Sequence, residues 1–468
     1  MRNALNLITL TLIKSISGLR GTIGGKSGEN LSPIDVVKFS AGYGTWLLEE
    51  HESATVVIGR DARPSGESFA SLVSNTLINL GINVIDLGLS TTPTVEMAVI
   101  AEKAQGGIIL TASHNPAGWN ALKLLNQKGE FISASEGKRV LELSDSSVSF
   151  APSNKFGKYE TNDTYIQYHI DQILQHELVN VEAIQEAKLK VVVDAVNSTG
   201  GISIVPLLKE LGVEVKELYC EPNGNFPHNP EPLPENLQQI GSEMANGQYD
   251  LGIVVDPDVD RLALITEDGE VFGEEYTLVA VADYVLKHKK GNTVSNLSSS
   301  RALRDITEKH GCQYNSSAVG EVHVVAKMKE TNAVIGGEGN GGVIIPELHY
   351  GRDALAGTAL FLSHLVEFGK SASFLRAMYP NYYISKNKIE LTADIDVDAV
   401  LDAIQEKYKT NPINTIDGVK IEFDKEWVQL RKSNTEPIIR IFAESESQNT
   451  AEHLAQKLIS DIKEVISG

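Results

Sequence analysis

Three times along this chain the same pattern returns: a short β-branched run, a polar loop, a helical apolar stripe, a glycine turn and a second apolar run. The first copy is Val56-Val57-Ile58, then Phe69, Leu72, Val73, Leu77 and Leu80, then Gly81-Ile82-Asn83-Val84. The second is Val191-Val192-Val193, then Ile204, Leu207, Leu208 and Leu211, then Gly212-Val213-Glu214-Val215. A weaker third runs from Thr293-Val294 through Ala302, Leu303 and Ile306 to Gly311-Cys312-Gln313-Tyr314. Each copy reads as a right-handed βαβ unit. Successive copies lie more than a hundred residues apart, too far for a solenoid, so they predict separate α/β domains. After the third copy the pattern changes. Lys388 to Thr392, Gly418 to Phe423 and Ile438 to Phe442 read as strands, and Leu454, Leu458, Ile462 and Val465 mark a closing amphipathic helix. The expected fold is α/β: three similar α/β domains with mixed sheets and a smaller C-terminal α+β domain, entered near Met378-Tyr379-Pro380. The expected boundaries are 1–158, 159–270, 271–375 and 376–468.

Composition narrows the partners. With 41 Lys and Arg against 62 Asp and Glu the formal charge is −21, and no long basic block offsets it. Nucleic acid and anionic membrane are therefore not expected as partners, since both need a basic face. A small anionic ligand is still allowed, because screening acts over ~8 Å and a few local cations can dominate a pocket. Two cysteines, Cys220 and Cys312, form neither a disulfide framework nor a zinc site, which fits a reducing cytoplasm. No apolar run reaches the ~18 residues of a membrane span. Leu5 to Ile13 is interrupted by Asn6, Thr9 and Thr11 with no small-residue cleavage site before Lys14, and reads as a first strand, not a signal peptide.

Five motifs bear chemistry. Thr111-Ala112-Ser113-His114-Asn115-Pro116 follows the strand-like Gly107-Ile108-Ile109-Leu110; a Ser on a loop leaving a strand is placed to face a ligand, though a plain Ser/Asn/Pro turn has the same composition. Asp256-Pro257-Asp258-Val259-Asp260-Arg261 follows Leu251 to Val255. Carboxylates at i, i+2 and i+4 share a face only in extended or looped chain, and a hard divalent cation, Mg²⁺ first, relieves their repulsion. An EF-hand is disfavoured because Arg261 sits where glycine is required, Pro257 sits second and the flanks are strand-like, even though Glu267 falls at the twelfth position; a solvated acidic turn is the plainer alternative. Gly336-Gly337-Glu338-Gly339-Asn340-Gly341-Gly342 allows close backbone approach but lacks the Gly-Lys-Ser/Thr ending of a P-loop; Glu338 and Asn340 read as hydroxyl binders, or the run is a tight hairpin turn. Arg431-Lys432-Ser433-Asn434-Thr435-Glu436-Pro437, with Arg440 beyond, formally contains a capping box, yet a strand pattern follows. Its donors suit a phosphate dianion. Ser17-Gly18-Leu19-Arg20-Gly21 is a weaker signal. His228, His323 and His349 show no metal-ligand spacing and read as structural.

Taken in order, these five motifs resemble the α-D-phosphohexomutase family from about Lys14 to Glu444. The resemblance implies four domains around a central cleft, three of them similar. It also implies interconversion of hexose 6-phosphate and hexose 1-phosphate through a phosphoserine and a hexose 1,6-bisphosphate intermediate. Phosphoglucosamine mutase is the favoured activity and phosphoglucomutase/phosphomannomutase the alternative; a phosphoserine-dependent phosphatase or a non-catalytic sugar-phosphate binder fits the motif set less well. By position, Ser113 would carry the phosphoryl group, and Asp256, Asp258 and Asp260 would hold Mg²⁺ with it. Arg261 would sit beside that phosphate. Lys123 and Arg20 would lie at the transfer site with His114, Lys123 as general acid/base with its pKa lowered by neighbouring cations. Glu338 and Asn340 would bind the sugar, and Arg431, Ser433, Asn434, Thr435 and Arg440 its non-reacting phosphate. Several positions depart from the family pattern: Trp119 for Tyr, Ala121 for Gly, Pro257 and Val259 where glycines are common, and Asn340-Gly341-Gly342 where Ser-Gly-His is frequent. Nothing in the sequence shows whether His323 replaces that His.

Overall fold

The computed structural model describes residues 11–15, 18–392, 395–432 and 438–467. Each repeat forms as its pattern predicts. Strand Thr55–Arg60, helix Gly66–Asn79 and strand Asn83–Leu89 make the first unit, with the two strands parallel. Lys190–Asp194, Gly200–Glu210 and Glu214–Leu218 make the second, and Asn292–Asn296, Ala302–Lys309 and Tyr314–Ser317 the third. The glycine after each helix turns the chain at positive φ: +88° at Gly81, +71° at Gly212 and +69° at Gly311. A side chain is disfavoured there, which is why each helix stops just before that residue and the chain turns toward the next strand.

The chain divides into two compact units, one of residues 1–277 with 340–373, the other of 278–339 with 374–468. The first unit holds two mixed sheets. One orders Ile13–Ser15, Gly18–Thr22, Trp119–Asn126, Gly106–Leu110, Thr55–Arg60, Asn83–Leu89 and Tyr159–Thr161. The other orders Leu262–Ile265, Leu251–Val255, Lys190–Asp194 and Glu214–Leu218. Tyr159–Thr161 pairs parallel with Asn83–Leu89. That edge strand is exposed throughout and carries no apolar signal. The expected first strand begins only at Ile13; residues 1–10 lie outside the described residues. The helix Ala354–Phe368 also belongs to this unit, buried from Ala354 to Leu365 and capped by Asp353.

In the second unit Tyr314–Ser317, Asn292–Asn296 and Ala333–Glu338 run parallel. A five-stranded antiparallel sheet orders Tyr383–Glu390, Ile438–Ser445, Trp427–Lys432, Val419–Glu422 and Ile413–Asn414. Helices Val397–Lys407 and Gln448–Ser467 supply Leu401, Ile404, Leu454, Leu458 and Ile462 to a core with Ile421, Leu430 and Ile441. The sequence pattern missed Trp427–Lys432. Gln429 interrupts its apolar run, yet is buried because Nε2 donates to the Asp417 carbonyl (3.0 Å) and Oε1 accepts from Ser298 (2.7 Å). The helix Val397–Lys407 was also not expected. Among the described residues no helix is long and apolar enough to cross a membrane, and Cys220 and Cys312 are free thiols.

Strand Gly106–Leu110, which leads into the Ser113 loop, starts beneath a buried tyrosine. Tyr43 donates from its hydroxyl to the Leu125 carbonyl at 2.7 Å, and a Cβ on Gly106 would lie 2.0 Å from the Tyr43 hydroxyl oxygen. Gly106→Ala should therefore destabilise the protein by about 1–3 kcal/mol through overpacking. In a Tyr43→Phe background the added cost should shrink. Urea unfolding of the four variants checks this; an equal cost in both backgrounds places the clash elsewhere.

Candidate active site

The Ser113 loop and the acidic loop both leave the C-terminal ends of strands, where open α/β sheets gather ligand-binding groups. Ser113 is buried (3% exposed) and adopts left-handed backbone geometry, φ +48°, a conformation a non-glycine residue holds only when its surroundings impose it. Arg63 imposes it. This fully buried guanidinium donates to the carbonyls of Ser113 (2.5 Å), Asn115 (2.6 Å), Pro116 (2.5 Å) and Trp119 (3.1 Å). Nε pairs with Asp61 at 2.9 Å, and Asp61 also accepts from Thr111 Oγ1 at 2.7 Å. Burial pushes the Asp61 carboxyl up, opposed by Arg63 and Thr111.

Asp256, Asp258 and Asp260 are fully buried, and their nearest carboxylate oxygens all lie within 4.8 Å of one another. Asp256 Oδ2 accepts the Ser113 hydroxyl at 2.7 Å, while Oδ1 accepts the backbone amides of Asp260 and Arg261, both at 3.2 Å. Asp258 Oδ2 accepts from Thr92 Oγ1 (2.5 Å) and Lys123 Nζ (2.7 Å). Asp260 Oδ2 accepts from Lys123 (3.3 Å) and Arg352 (2.8 Å). Burial and the charges of Asp260 and Asp258 raise Asp256 well above the carboxylate range. Asp260 is lowered: burial acts against this, but Arg352, Lys123 and Arg261 outweigh it. Two oxygens, Asp258 Oδ1 and Asp260 Oδ1, are buried without a hydrogen-bond partner. Orphaned anionic oxygens are costly unless something positive meets them, and an all-oxygen donor set suits a hard divalent cation.

Lys123 requires a correction. Neighbouring cations were expected to lower its pKa; burial does push it down, but Asp258 and Asp260 outweigh burial and the net shift is upward. The sequence supplied the nearby cations without showing that the ammonium contacts two carboxylates. His114 goes the other way, pushed down to about 3 by burial and then by Arg261 and Arg20. It is thus uncharged at neutral pH, with Nδ1 3.3 Å from Ser113 Oγ. Arg20 donates to Asn115 Oδ1 at 3.1 Å. Arg261 places Nε 4.0 Å from Asp260 and a terminal nitrogen 3.8 Å from Glu231.

Val259, in the acidic loop, has φ +61°. That explains why glycine is common at this position: a β-branched residue there costs roughly 1–2 kcal/mol. Its carbonyl accepts from Ala354 N at 3.2 Å, which helps fix the turn.

The remaining motif residues fall elsewhere in the chain. In the second unit Glu338 ends strand Ala333–Glu338, and its Oε1 accepts from Asn296 Nδ2 (2.8 Å) and Gly320 N (3.1 Å). Arg431 stands opposite Arg440 in the antiparallel register and faces Asp417 Oδ2 through Nε at 2.9 Å. The same oxygen of Asp417 accepts Val319 N at 2.9 Å. In the first unit Asn340 Oδ1 accepts Gly342 N at 3.2 Å. Ser17, Ser433, Asn434 and Thr435 lie outside the described residues. His323 is exposed in the first turn of helix Glu321–Thr331, and His228 pairs with Asp194 at 2.9 Å.

Sequence reasoning missed Asp61, Arg63, Thr92, Glu231 and Arg352. A signal existed for the first two: Arg60-Asp61-Ala62-Arg63-Pro64 closes its strand just as the Ser113 and Asp256 loops close theirs.

Models of the alpha/beta/alpha domains I, II and III and the C-terminal domain of phosphoglucomutase/phosphomannomutase match residues 12–148, 167–269, 273–382 and 388–460. A phosphoglucomutase/phosphomannomutase of Thermococcus kodakarensis is 36% identical over 457 residues, covering 96% of this chain and 99% of that protein. A probable phosphoglucosamine mutase of Methanopyrus kandleri is 31% identical over 455 residues, 96% and 97% of the two chains. Among solved structures, a phosphoglucomutase/phosphomannomutase family protein from Burkholderia thailandensis superposes with a TM-score of 0.81 at 25% identity, covering 98% of each chain.

The Arg63 clamp makes a direct prediction. Arg63→Met leaves Asp61 buried and uncompensated, which should cost about 3–5 kcal/mol. Adding Asp61→Asn should recover part of that loss in urea unfolding. A single-variant loss below about 1 kcal/mol would mean the guanidinium is not the clamp described.

Proposed function

The chain belongs to the phosphoglucomutase/phosphomannomutase family and is a phosphohexomutase, and from that premise we propose that Ser113 carries the phosphoryl group between the two ends of a hexose phosphate. The observation that carries this reading is the Ser113 hydroxyl itself, buried and 2.7 Å from Asp256 within a cluster that holds two unpartnered carboxylate oxygens. A hydroxyl of the bound sugar phosphate attacks phosphorus in line. A new P–O bond forms as the bond to Ser113 Oγ breaks, the sugar hydroxyl gives up a proton, and Ser113 takes one up. The resulting 1,6-bisphosphate turns around and returns its other phosphoryl group to Ser113.

Asp256, Asp258 and Asp260 would hold Mg²⁺, with an oxygen of the Ser113 phosphate completing the set. When bound, the ion supplies charge neutralisation at the phosphoryl oxygens. Lys123 is the general acid/base. Asp258 and Asp260 favour its ammonium form, so it gives the proton that Ser113 takes up, and the amine so formed takes the proton that the sugar hydroxyl gives up. Arg20 and Arg261 add positive charge at the same place. His114, uncharged, orients the Ser113 hydroxyl. Glu338 and Asn340 bind sugar hydroxyls; Arg431, Arg440 and the Ser433-Asn434-Thr435 loop hold the non-reacting phosphate.

The sugar we favour is glucosamine phosphate, which the 31% identical relative supports by its name. Glucose or mannose phosphate is the second reading, favoured by the 36% identical relative. The reaction is placed in the cytoplasm, in keeping with the free thiols, with a small phosphosugar as partner and neither nucleic acid nor membrane. The domain division near 270 agrees with matched ranges that end at 269 and resume at 273, and the one near 375 precedes the sheet that opens at Tyr383.

Ser113→Ala should abolish isomer formation while leaving the protein folded, and wild-type protein exposed to a hexose 1,6-bisphosphate should gain one phosphoryl mass on the Ser113 peptide. Turnover by the purified variant refutes the covalent carrier. Arg431→Ala should raise KM with kcat nearly unchanged, because it removes binding common to ground and transition states. A fall in kcat alone would move Arg431 to the reacting end. Parallel assays with glucosamine, glucose and mannose phosphates decide the sugar.

A further inference from the structure

Behind the acidic loop lies a second buried polar cluster, assembled from segments far apart in sequence. Glu96 and His169 are 0% exposed, Asp353 1% and His349 3%. His349 places Nδ1 3.1 Å from Glu96 Oε2 and Nε2 3.2 Å from Asp353 Oδ2. His169 reaches the same Asp353 oxygen through Nε2 at 2.8 Å, and its Nδ1 lies 3.0 Å from Thr94 Oγ1. The other oxygen of Asp353 caps helix Ala354–Phe368, accepting from Leu355 and Ala356 at 2.9 and 3.0 Å. Room for Glu96 is reserved by Gly351, where a Cβ would lie 1.7 Å from Glu96 Oε2.

The two sides of this cluster each continue to the acidic loop. On one side is helix Thr92–Ala101, which carries Thr94 and Glu96. Its first residue, Thr92, gives its amide to the Asp258 carbonyl at 2.9 Å and its hydroxyl to Asp258 Oδ2 at 2.5 Å. On the other side is the segment from His349 to Asp353, whose Arg352 donates to Asp260 Oδ2 at 2.8 Å. The cluster thus ties together the two supports of Asp258 and Asp260, and does so without touching those carboxylates.

We propose that Glu96, His349, Asp353 and His169 form a brace that fixes Thr92 and Arg352 on Asp258 and Asp260, so that His349 and Glu96 are positioning residues for the acidic loop. The proposal rests on the reading of Asp256, Asp258 and Asp260 as metal ligands. Both ring nitrogens of His349 face carboxylate oxygens, so both carry protons and the ring is a cation. Burial opposes that charge, but Asp353 and Glu96 outweigh it and push the His349 pKa up to about 10. The brace is therefore an anion–cation–anion row, followed directly by the Arg352–Asp260 pair. Such alternation holds charges in register in a way that a neutral side chain of equal size does not reproduce. Thr92 and Arg352, one contact removed from the metal-ligand carboxylates, govern their orientation, and the brace holds Thr92 and Arg352 in turn.

The test uses the full chain, with Mg²⁺ titrated calorimetrically and turnover measured from a hexose 1-phosphate with a trace of bisphosphate. His349→Gln and the near-isosteric Glu96→Gln should each weaken Mg²⁺ binding and lower kcat by about 10- to 100-fold, with KM for the sugar phosphate shifted less than about twofold. Asp258→Asn serves as the control for lost metal binding. If the brace acts through Arg352, the double variant His349→Gln/Arg352→Lys should be no worse than Arg352→Lys alone. Additive losses overturn the proposal. So does a folded Glu96→Gln that binds Mg²⁺ and turns over like wild type, whatever its melting temperature. A transition-metal ion retained by dialysed wild type and lost from His349→Gln would also overturn it, since the cluster would then be a metal site and not a brace. If wild type shows no mutase activity the functional reading fails, while the Mg²⁺ titrations of wild type and Glu96→Gln still decide the brace.

Discussion

Three carboxylates buried against one another are the constraint around which the first unit is built. At ~4 Å and an effective dielectric of 20, each like-charged pair repels by about 4 kcal/mol, a large fraction of the ~5–15 kcal/mol that holds a domain folded. The fold offsets this by aiming Lys123, Arg352 and Arg261 at Asp258 and Asp260 and by leaving Asp256 to accept neutral donors. The burden is uneven. Asp260 is held below the carboxylate range by its cations, whereas Asp256, with fewer, is pushed above it. A cluster arranged in this way is incompletely neutralised, and its two orphaned oxygens record where compensation is lacking.

The same logic explains why the Ser113 loop needs a buried arginine. A serine at φ +48° exposes its hydroxyl to the acidic cluster only if the carbonyls around it find donors, since the loop cannot pair with a neighbouring strand. Arg63 supplies a planar fork to four of them, and a lysine point charge has no equivalent geometry. Asp61 and Thr111 then hold the fork. Backbone strain at Ser113 and charge at Arg63 are two parts of one device: the hydroxyl that meets Asp256 is presented by a loop that Arg63 holds in shape.

How much of this was legible in the sequence depended on whether a residue's partner lay nearby in the chain. The βαβ repeats were legible because strand, helix stripe and glycine turn are local signals, and the loops ending in Ser113 and Asp256 were legible because each follows an apolar strand. Lys123 was identified, but not its charge state, since the carboxylates that settle it are 135 and 137 residues away. His349 read as structural because no second ligand stood at a metal-binding interval. Its partner Asp353 stands only four residues on, but Glu96 becomes visible only when helix Thr92–Ala101 packs beside the segment after Ile345. Val259 worked in reverse: a departure from the family pattern that the sequence could only note became intelligible once its positive φ was known.

Within the second unit, one short stretch of backbone joins two residues that the sequence could treat only separately. Val319 N donates to Asp417, which faces Arg431, and the next amide, Gly320 N, donates to Glu338. Adjacent amides therefore anchor both the carboxylate assigned to sugar hydroxyls and the counter-ion of the arginine assigned to phosphate. Asp417 Oδ2 lies 2.9 Å from Arg431 Nε, so its charge draws the guanidinium to that side. Moving the Val319–Gly320 peptide would displace both anchors together. The separation between Glu338 and Arg431 is thereby tied to one peptide and not to two independent loops.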